Sequence, residues 1–268
     1  RICRREGGSC VMNPVAAIGR GTLSIFAEIG AMTMFALRGA FAWVSGPFYT
    51  REFFSAAMRL GFHSLPVVGP TAIFTAAALA LNIYDGSSRF SAETFLPQVL
   101  AVSIVRELGP GFAALMVAGR SSSGMAAELG AMRVSDQIDA MATLAVDPFK
   151  FLISPRILAT TLMLPFLVLV ADLIGILGGW IVAVYALDFE GATYIRNIDQ
   201  FLTAKDVTSG LVKAAVFGFL ISVMGCYYGF KSRGGAQGVG AATRSAVVAS
   251  AVAILASNYV MTSLFVDL

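Results

Sequence analysis

Arg106 and Glu107, adjacent and opposite in charge, stand inside the otherwise apolar stretch Ile104-Val-Arg-Glu-Leu-Gly-Pro-Gly111. Thr94 to Gly119 is long enough to cross a membrane, and the two charges fall at its midpoint. A charge at bilayer depth costs at least about 2.5–3.5 kcal/mol, so it normally faces protein or water and marks a pathway. Pro110 lacks an N–H, which leaves the carbonyl of Arg106 without its helical partner. A backbone group freed at that depth needs a protein or water partner, so Arg106, Glu107, Gly109 and Pro110 point to a cavity rather than to lipid. The competing reading is an internal ion pair that only holds helices in register.

Two further places could carry chemistry. Asp172 is the single charge in the apolar run Ile157–Leu187. It reads as a substrate-path or proton-relay carboxylate, or equally as an internally paired group or one at a bend. The segment from Glu128 to Ala145 carries Val134, Ile138, Met141 and Ala145 at i, i+4, i+7 and i+11, one narrow apolar stripe on a single helix. Arg133, Asp136 and Asp139 point elsewhere on that helix, and Asp147-Pro148 ends it. A helix resting on lipid headgroups would favour Lys and Arg on its polar face, whereas acids are repelled by anionic lipid. A docking helix for a cytoplasmic partner fits better.

Other chemistries find no residues to perform them. His63 is the single histidine and has no Cys or carboxylate set beside it, so no metal site is expected. Neither HExxH nor GxSxG occurs. Gly234-Gly-Ala-Gln-Gly-Val-Gly240 lacks the Lys-Ser or Lys-Thr of a phosphate-binding loop and reads as a flexible cytoplasmic turn, with partner contact as its functional option. Cys3, Cys10 and Cys226 give no disulfide framework.

The elements that must position these residues follow from composition. The chain has 268 residues, 57% hydrophobic and 13% charged. A soluble domain carries roughly 25% charged residues, so this is an all-α, polytopic membrane protein. The net charge of +3 is small and the basic residues are spread out, which argues against nucleic-acid binding. Arg1 to Met12 reads as a polar tail in which Met12 is a candidate start, and no signal peptide follows it. The remainder, 13–268, is one membrane domain. Spans are expected at Ser64–Tyr84, Thr94–Gly119, Ile157–Leu187, Val207–Phe230 and Ser245–Val266. Asn13 to Pro47 is apolar with Arg20 and Arg38 aligned and Glu28 within about 80° of them, ending near Trp43, Phe48 and Tyr49. It reads as a helix lying in the membrane interface or entering and leaving on one side, against the alternative of a sixth span. Tyr194–Phe201 suggests a short external helix. Gly175–Gly179 and Gly225–Gly229 offer small-xxx-small faces for helix packing.

Orientation follows from lysine and arginine in the short loops. Seven arginines lie in the first sixty residues, with Arg120, Arg133, Lys150 and Arg156 between the second and third spans. Lys231, Arg233 and Arg244 lie between the fourth and fifth. The opposite loops carry Asp85, Glu93, Asp188, Glu190, Asp199 and Asp206 against Arg89, Arg196 and Lys205. The N-terminus is therefore expected in the cytoplasm and the C-terminus outside.

Taken in order, Arg106-Glu-Leu-Gly-Pro110, Ala118-Gly-Arg120, Ala126-Ala-Glu-Leu-Gly-Ala-Met-Arg-Val134, Gln137-Ile-Asp-Ala140, Ala145-Val-Asp-Pro148 and Pro155-Arg-Ile-Leu158 closely resemble the MlaE/YrbE permeases, the membrane subunits of MCE-type ABC lipid transporters. The resemblance runs from about Asn13 to Leu268. It implies a homodimer in a bacterial inner membrane, with five spans and an interfacial helix per subunit. A cytoplasmic ABC ATPase would hold ATP and magnesium, and the permease itself would bind no cofactor and catalyse nothing. A periplasmic MCE-domain protein would complete the assembly; many such systems add a STAS-domain protein. The implied substrate is phospholipid, moved between inner and outer membrane to maintain outer-membrane lipid asymmetry. The resemblance also implies that Glu128, Arg133, Val134, Asp136, Gln137, Ile138, Asp139 and Met141 belong to the coupling helix that meets the ATPase. Arg106 and Glu107 match the charged pair near the lipid cavity. The rivals are an ion-coupled secondary carrier acting without an ATPase, for which no half-to-half repeat is evident, and an intramembrane enzyme, for which no catalytic set exists.

Overall fold

The computed structural model describes residues 14–42, 49–89 and 95–266, and its regular structure is helical throughout. The tail before Met12, Trp43, Phe48 and Glu93 lie outside the described residues. Helix α1 (Pro14–Phe41) is followed by α2 (Thr50–Leu60), a short turn at Phe62–Ser64, and α3 (Leu65–Ser88). A long bent rod comes next: α4 (Leu96–Ser103), a π turn at Ile104–Leu108, α5 (Gly109–Val117), a second π turn at Ala118–Ser122, and α6 (Ser123–Val134). Then come α7 (Gln137–Thr143), a third π turn at Phe149–Ile153, α8 (Ser154–Ala186), α9 (Gly191–Phe201), α10 (Ala204–Phe230) and α11 (Gly235–Val266). Proline sets several of these starts. Pro66, Pro97 and Pro155 occupy the first turns of α3, α4 and α8, where a missing N–H is tolerated.

Six segments among the described residues are long and apolar enough to cross a membrane. Five correspond to the expected spans, each running further at one end at least, as Phe149–Ala186 and Gly235–Phe265 do at their N-terminal ends. The sixth is Thr22–Phe41 within α1. Leu162, Phe166, Leu173, Leu177 and Ile181 lie exposed on α8, the outward apolar face expected of a helix whose surroundings are lipid. The core is formed where α8 and α10 pack together and against α3, α5, α6 and α11. Phe217, Ile221, Leu164, Val168 and Leu129 are buried there. The Gly225–Gly229 face serves close packing: a Cβ at Gly229 would sit 2.9 Å from the Cα of Ala126 and one at Gly225 3.0 Å from the carbonyl oxygen of Ser122.

The two ends of the bundle differ in chemistry. At one, Leu96, Ala183 and Tyr194 pack with Tyr84, Trp180 and Phe189, so α9 folds over the ends of α3 and α8. A short helix is therefore present where one was expected, and burial pushes the Tyr194 phenol up to about 12. At the other end lie Arg59, Arg156, Arg133 and Lys231. Helix α1 meets this second end. Glu28 pairs with Lys231 at 3.3 Å, Phe35 packs on Phe149, Tyr227 and Phe230, and the Arg38 guanidinium lies 4.2 Å from the Phe149 ring centre.

Two expectations are corrected. The segment from Glu128 to Ala145 is not one helix. Asp136 adopts φ 57° and separates α6 from α7, and Ala145, at φ 60°, lies beyond α7. Aspartate tolerates the left-handed region because its short side chain satisfies the backbone locally, so the chain turns there. Gly234–Gly240 is likewise not a flexible turn. Only Gly234 and Gly235 take positive φ, and α11 runs onward from Gly235.

Candidate functional site

The π turn Ile104–Leu108 places Arg106 and Glu107, and α10 answers both. A lone cation in its apolar length, Lys213, is buried to 2% exposure. Its Nζ donates to Glu107 Oε1 at 2.6 Å, to the Arg106 carbonyl at 3.0 Å and to Thr262 Oγ1 at 2.8 Å. The carbonyl orphaned by Pro110 thus finds a protein donor, as the depth of the site demands. The π turn arises at the same spot, with the Gly109 N–H bonding back to the Ile104 carbonyl.

Three elements share this cluster. Glu107 also accepts from Thr262 Oγ1 at 2.8 Å and from Asn258 Nδ2 at 2.9 Å, two residues one turn apart on α11. Arg106 turns the other way, its Nε reaching Asp206 Oδ1 at 2.8 Å. Asp206 caps α10 by accepting from the Thr203 N–H and hydroxyl. Asp206, Gly210 and Lys213 follow i, i+4 and i+7, one face of α10 laid against the π turn. At Gly210 a Cβ would sit 2.5 Å from the Val105 carbonyl oxygen, so glycine is required for that approach. Arg106 and Glu107 therefore do not pair with each other. Each binds a partner about a hundred residues away, and side-chain exposures of 44% and 37% leave both with an open edge.

The other two members of the expected cavity point inward. Pro110 is buried, and a Cβ at Gly109 would overlap the Asp172 carboxylate. A cavity of about 20 Å³ lies on this side, lined by Thr71, Ile104, Gly109, Phe112 and Gly175, room for one water. Asp172 is buried, and its Oδ1 has no hydrogen-bond partner. No ion pair reaches Asp172 among the described residues.

The residues expected on a single coupling helix divide. Glu128 belongs to α6 and pairs with Arg59 and Arg156. Arg133 pairs with Asp139. Ile138 is buried in the chain's own core and Met141 packs beside it, so this part of the stripe faces inward. What α7 and its approaches expose is Val134, Asp136, Gln137, Asp139 and, most of all, Leu144 at 75%. Lys213 is the residue that sequence spacing passed over. The rule that singled out Arg106 and Glu107, a charge at bilayer depth, applies equally to it. The bonds that join it and Glu107 to Asn258 and Thr262, across α10 and α11, carry no local sequence signal.

A bundle of long apolar helices pinned by an intramembrane ion cluster defines a multi-pass membrane protein. The family described as Permease MlaE matches residues 53–264. A probable ABC transporter permease protein of Rickettsia bellii is 47% identical over 255 residues, covering 95% of this chain and 98% of that protein. The chloroplastic protein TRIGALACTOSYLDIACYLGLYCEROL 1 of Arabidopsis thaliana is 35% identical, covering 94% of this chain and 70% of its own length. The intermembrane phospholipid transport system permease protein MlaE of Haemophilus influenzae is 29% identical, covering 95% and 98% respectively. The chain belongs to the MlaE permease family, within the class of ABC transporter permeases.

Proposed function

We propose that this chain is the permease subunit of a complex that moves phospholipid between the inner membrane, where it resides, and the outer membrane, and so maintains outer-membrane lipid asymmetry. The supporting observation is that one family match, over residues 53–264, takes in both the Arg106–Glu107–Lys213 cluster and the α6–α7 elbow. The name of the Haemophilus relative supplies the substrate class. Two copies of the chain meet about a two-fold axis and enclose a cavity lined by α3, the bent rod and α11. Acyl chains contact its apolar walls, while the open edges of Arg106 and Glu107 set where a headgroup or water can sit. The arginine-rich end faces the cytoplasm, α1 lies in that interface, and the C-terminus is periplasmic.

Energy comes from outside the chain. A cytoplasmic ABC ATPase binds ATP and magnesium and receives the exposed edge of the elbow, Asp136, Gln137 and Leu144. Its closure pushes on α7, which is fastened to the bundle by the buried Ile138. A periplasmic MCE-domain protein takes lipid at the other end, and a STAS-domain protein is a further cytoplasmic subunit. A carrier working on an ion gradient would need a free titratable path. Glu107 is instead held by Lys213, and Asp172 shares no hydrogen bond with either.

Co-purification tests the coupling surface. Leu144→Asp and Asp136→Lys leave the core untouched, and each is expected to reduce recovery of the ATPase with the tagged permease at least tenfold. Full recovery with both variants, at normal permease abundance, overturns the elbow as the docking site.

A further inference from the structure

The arginine-rich end contains a second, separate site. Between α2, the α5–α6 junction and α8 opens a pocket of about 480 Å³ whose polar lining is Arg59, His63, Arg120, Ser121, Glu128 and Arg156. Three guanidiniums face one carboxylate. Glu128 Oε1 is shared between Arg59 at 3.3 Å and Arg156 at 3.0 Å. Arg120 bonds Ser64 Oγ at 2.9 Å and the Arg59 carbonyl at 3.5 Å, and no carboxylate pairs with it among the described residues. Arg156 is 8% exposed, locked by its bonds to Glu128 and the Leu152 carbonyl. The pocket therefore holds an excess of about two positive charges, on the residue type whose planar fork matches a phosphate.

Its surroundings say where that phosphate comes from. The pocket lies at the head of α3, where α2 joins it, and in the membrane orientation proposed above this end of the bundle meets the lipid headgroups. Phe54 and Met58 on α2 and Phe62 in the turn that follows it stand exposed, at 65%, 59% and 65%. A free phosphate would leave these side chains in water, whereas acyl chains would cover them. We propose that this pocket binds the headgroup phosphate of an anionic phospholipid from the surrounding leaflet. Arg59 and Arg120 grip the phosphate, Glu128 (itself held by Arg156) positions Arg59, Ser64 positions Arg120, and Phe54, Met58 and Phe62 lie along the chains. Basic pockets between spans on the cytoplasmic side are suited to such headgroups. The site lies apart from the Glu107 cluster and goes beyond the transport reading, since it needs only the membrane setting of the bundle.

Native mass spectrometry of the full-length permease, alone and with its partner subunits, reads the binding directly. Phosphatidylglycerol and phosphatidylcholine of identical chains are titrated separately into detergent-solubilised protein. Phosphatidylglycerol is expected to bind roughly tenfold more tightly, because both lipids offer the same phosphate but the choline cation is opposed by the pocket's excess positive charge. Arg59→Gln and Arg120→Gln, both exposed enough to leave the core intact, are expected to abolish most of that preference. Equal binding of the two lipids to the wild type, a reading that needs no variant, overturns the proposal. So does an undiminished preference in both variants. Thermal stabilisation by inorganic phosphate equal to that by phosphatidylglycerol would assign the pocket to a free anion and also overturn it. A preference present in the permease alone but lost in the complex would mean that a partner covers the pocket, and would overturn it too. Lipid transport enters none of these readouts, so failure here is distinguishable from failure of the transport reading.

Discussion

The Glu107 cluster and Asp172 are two ways of keeping a carboxylate inside a membrane bundle. Glu107 is held by Lys213, Asn258 and Thr262, so its charge is answered from two other helices. Asp172, against Gly109 at the base of the same π turn, has an oxygen with no partner and no cation within ion-pair distance among the described residues. A buried charge that loses its counterion is strongly penalised, while a buried group already alone has little left to lose. The first carboxylate therefore organises the bundle, and the second is tolerated by it.

The largest expected effect comes from removing the cation. Lys213→Met leaves Glu107 without its counterion and frees the Arg106 carbonyl again. A loss of about 3 kcal/mol is expected, the low end for a buried pair because Glu107 keeps an open edge, read by denaturant unfolding in mixed micelles. Adding Glu107→Gln to Lys213→Met should recover at least half of it, because the uncompensated charge is gone. If Lys213→Met alone costs no more than a change at Asp172, the two carboxylates do not differ in the way their surroundings imply.

Gly109→Ala tests the contact between the two regions. Its Cβ would overlap the Asp172 carboxylate and sit 3.0 Å from the Ile104 carbonyl oxygen. Overpacking of this kind costs about 1–3 kcal/mol. In an Asp172→Ala background the same substitution should cost distinctly less, since only the Ile104 contact remains; an unchanged cost would mean that Asp172 does not press on the π turn.

Asp172 itself should be nearly replaceable. Asp172→Asn keeps the volume and deprives no cation of a partner, so stability should stay within about 1 kcal/mol of wild type or rise. The same unfolding assay reads it. A loss near that of Lys213→Met would show that Asp172 has a counterion, and the contrast between the two carboxylates would dissolve.

The residues most legible in the sequence were those whose placement depends on local chemistry. Charge in an apolar span identified Arg106 and Glu107, and the missing N–H of Pro110 foretold a donor for the Arg106 carbonyl. The spans followed from length and apolarity. The donor itself lies on another helix, so no spacing rule near Pro110 could name Lys213. The coupling segment failed differently. A stripe counted at 100° per residue assumes an unbroken helix, and Asp136 breaks it. Ile138 and Met141 then turn into the core, leaving Leu144 as the apolar residue that a partner can reach. The arginine pocket draws on α2, α6 and α8, which only the packed bundle brings together.

The smallest effect calibrates the others. Ser122 and Ser250 meet at 3.0 Å, joining the bent rod to α11 as the Glu107 cluster does, with neutral hydroxyls instead of charges. Ser250 also bonds the Ala246 carbonyl of its own helix at 2.7 Å, so Ser122 is the donor when that bond is kept. Ser250→Ala removes the acceptor, yet an interhelical hydrogen bond in membrane proteins averages only about 0.6 kcal/mol. A loss of that size is expected in the same unfolding assay. Both contacts fasten the rod to a neighbouring helix, Lys213 from α10 and Ser250 from α11, so the gap between this loss and that of Lys213→Met measures what charge adds. If the two losses prove equal, tight packing of the rod on α10 and α11 is the common cause, and the ionic account of the cluster gives way to a steric one.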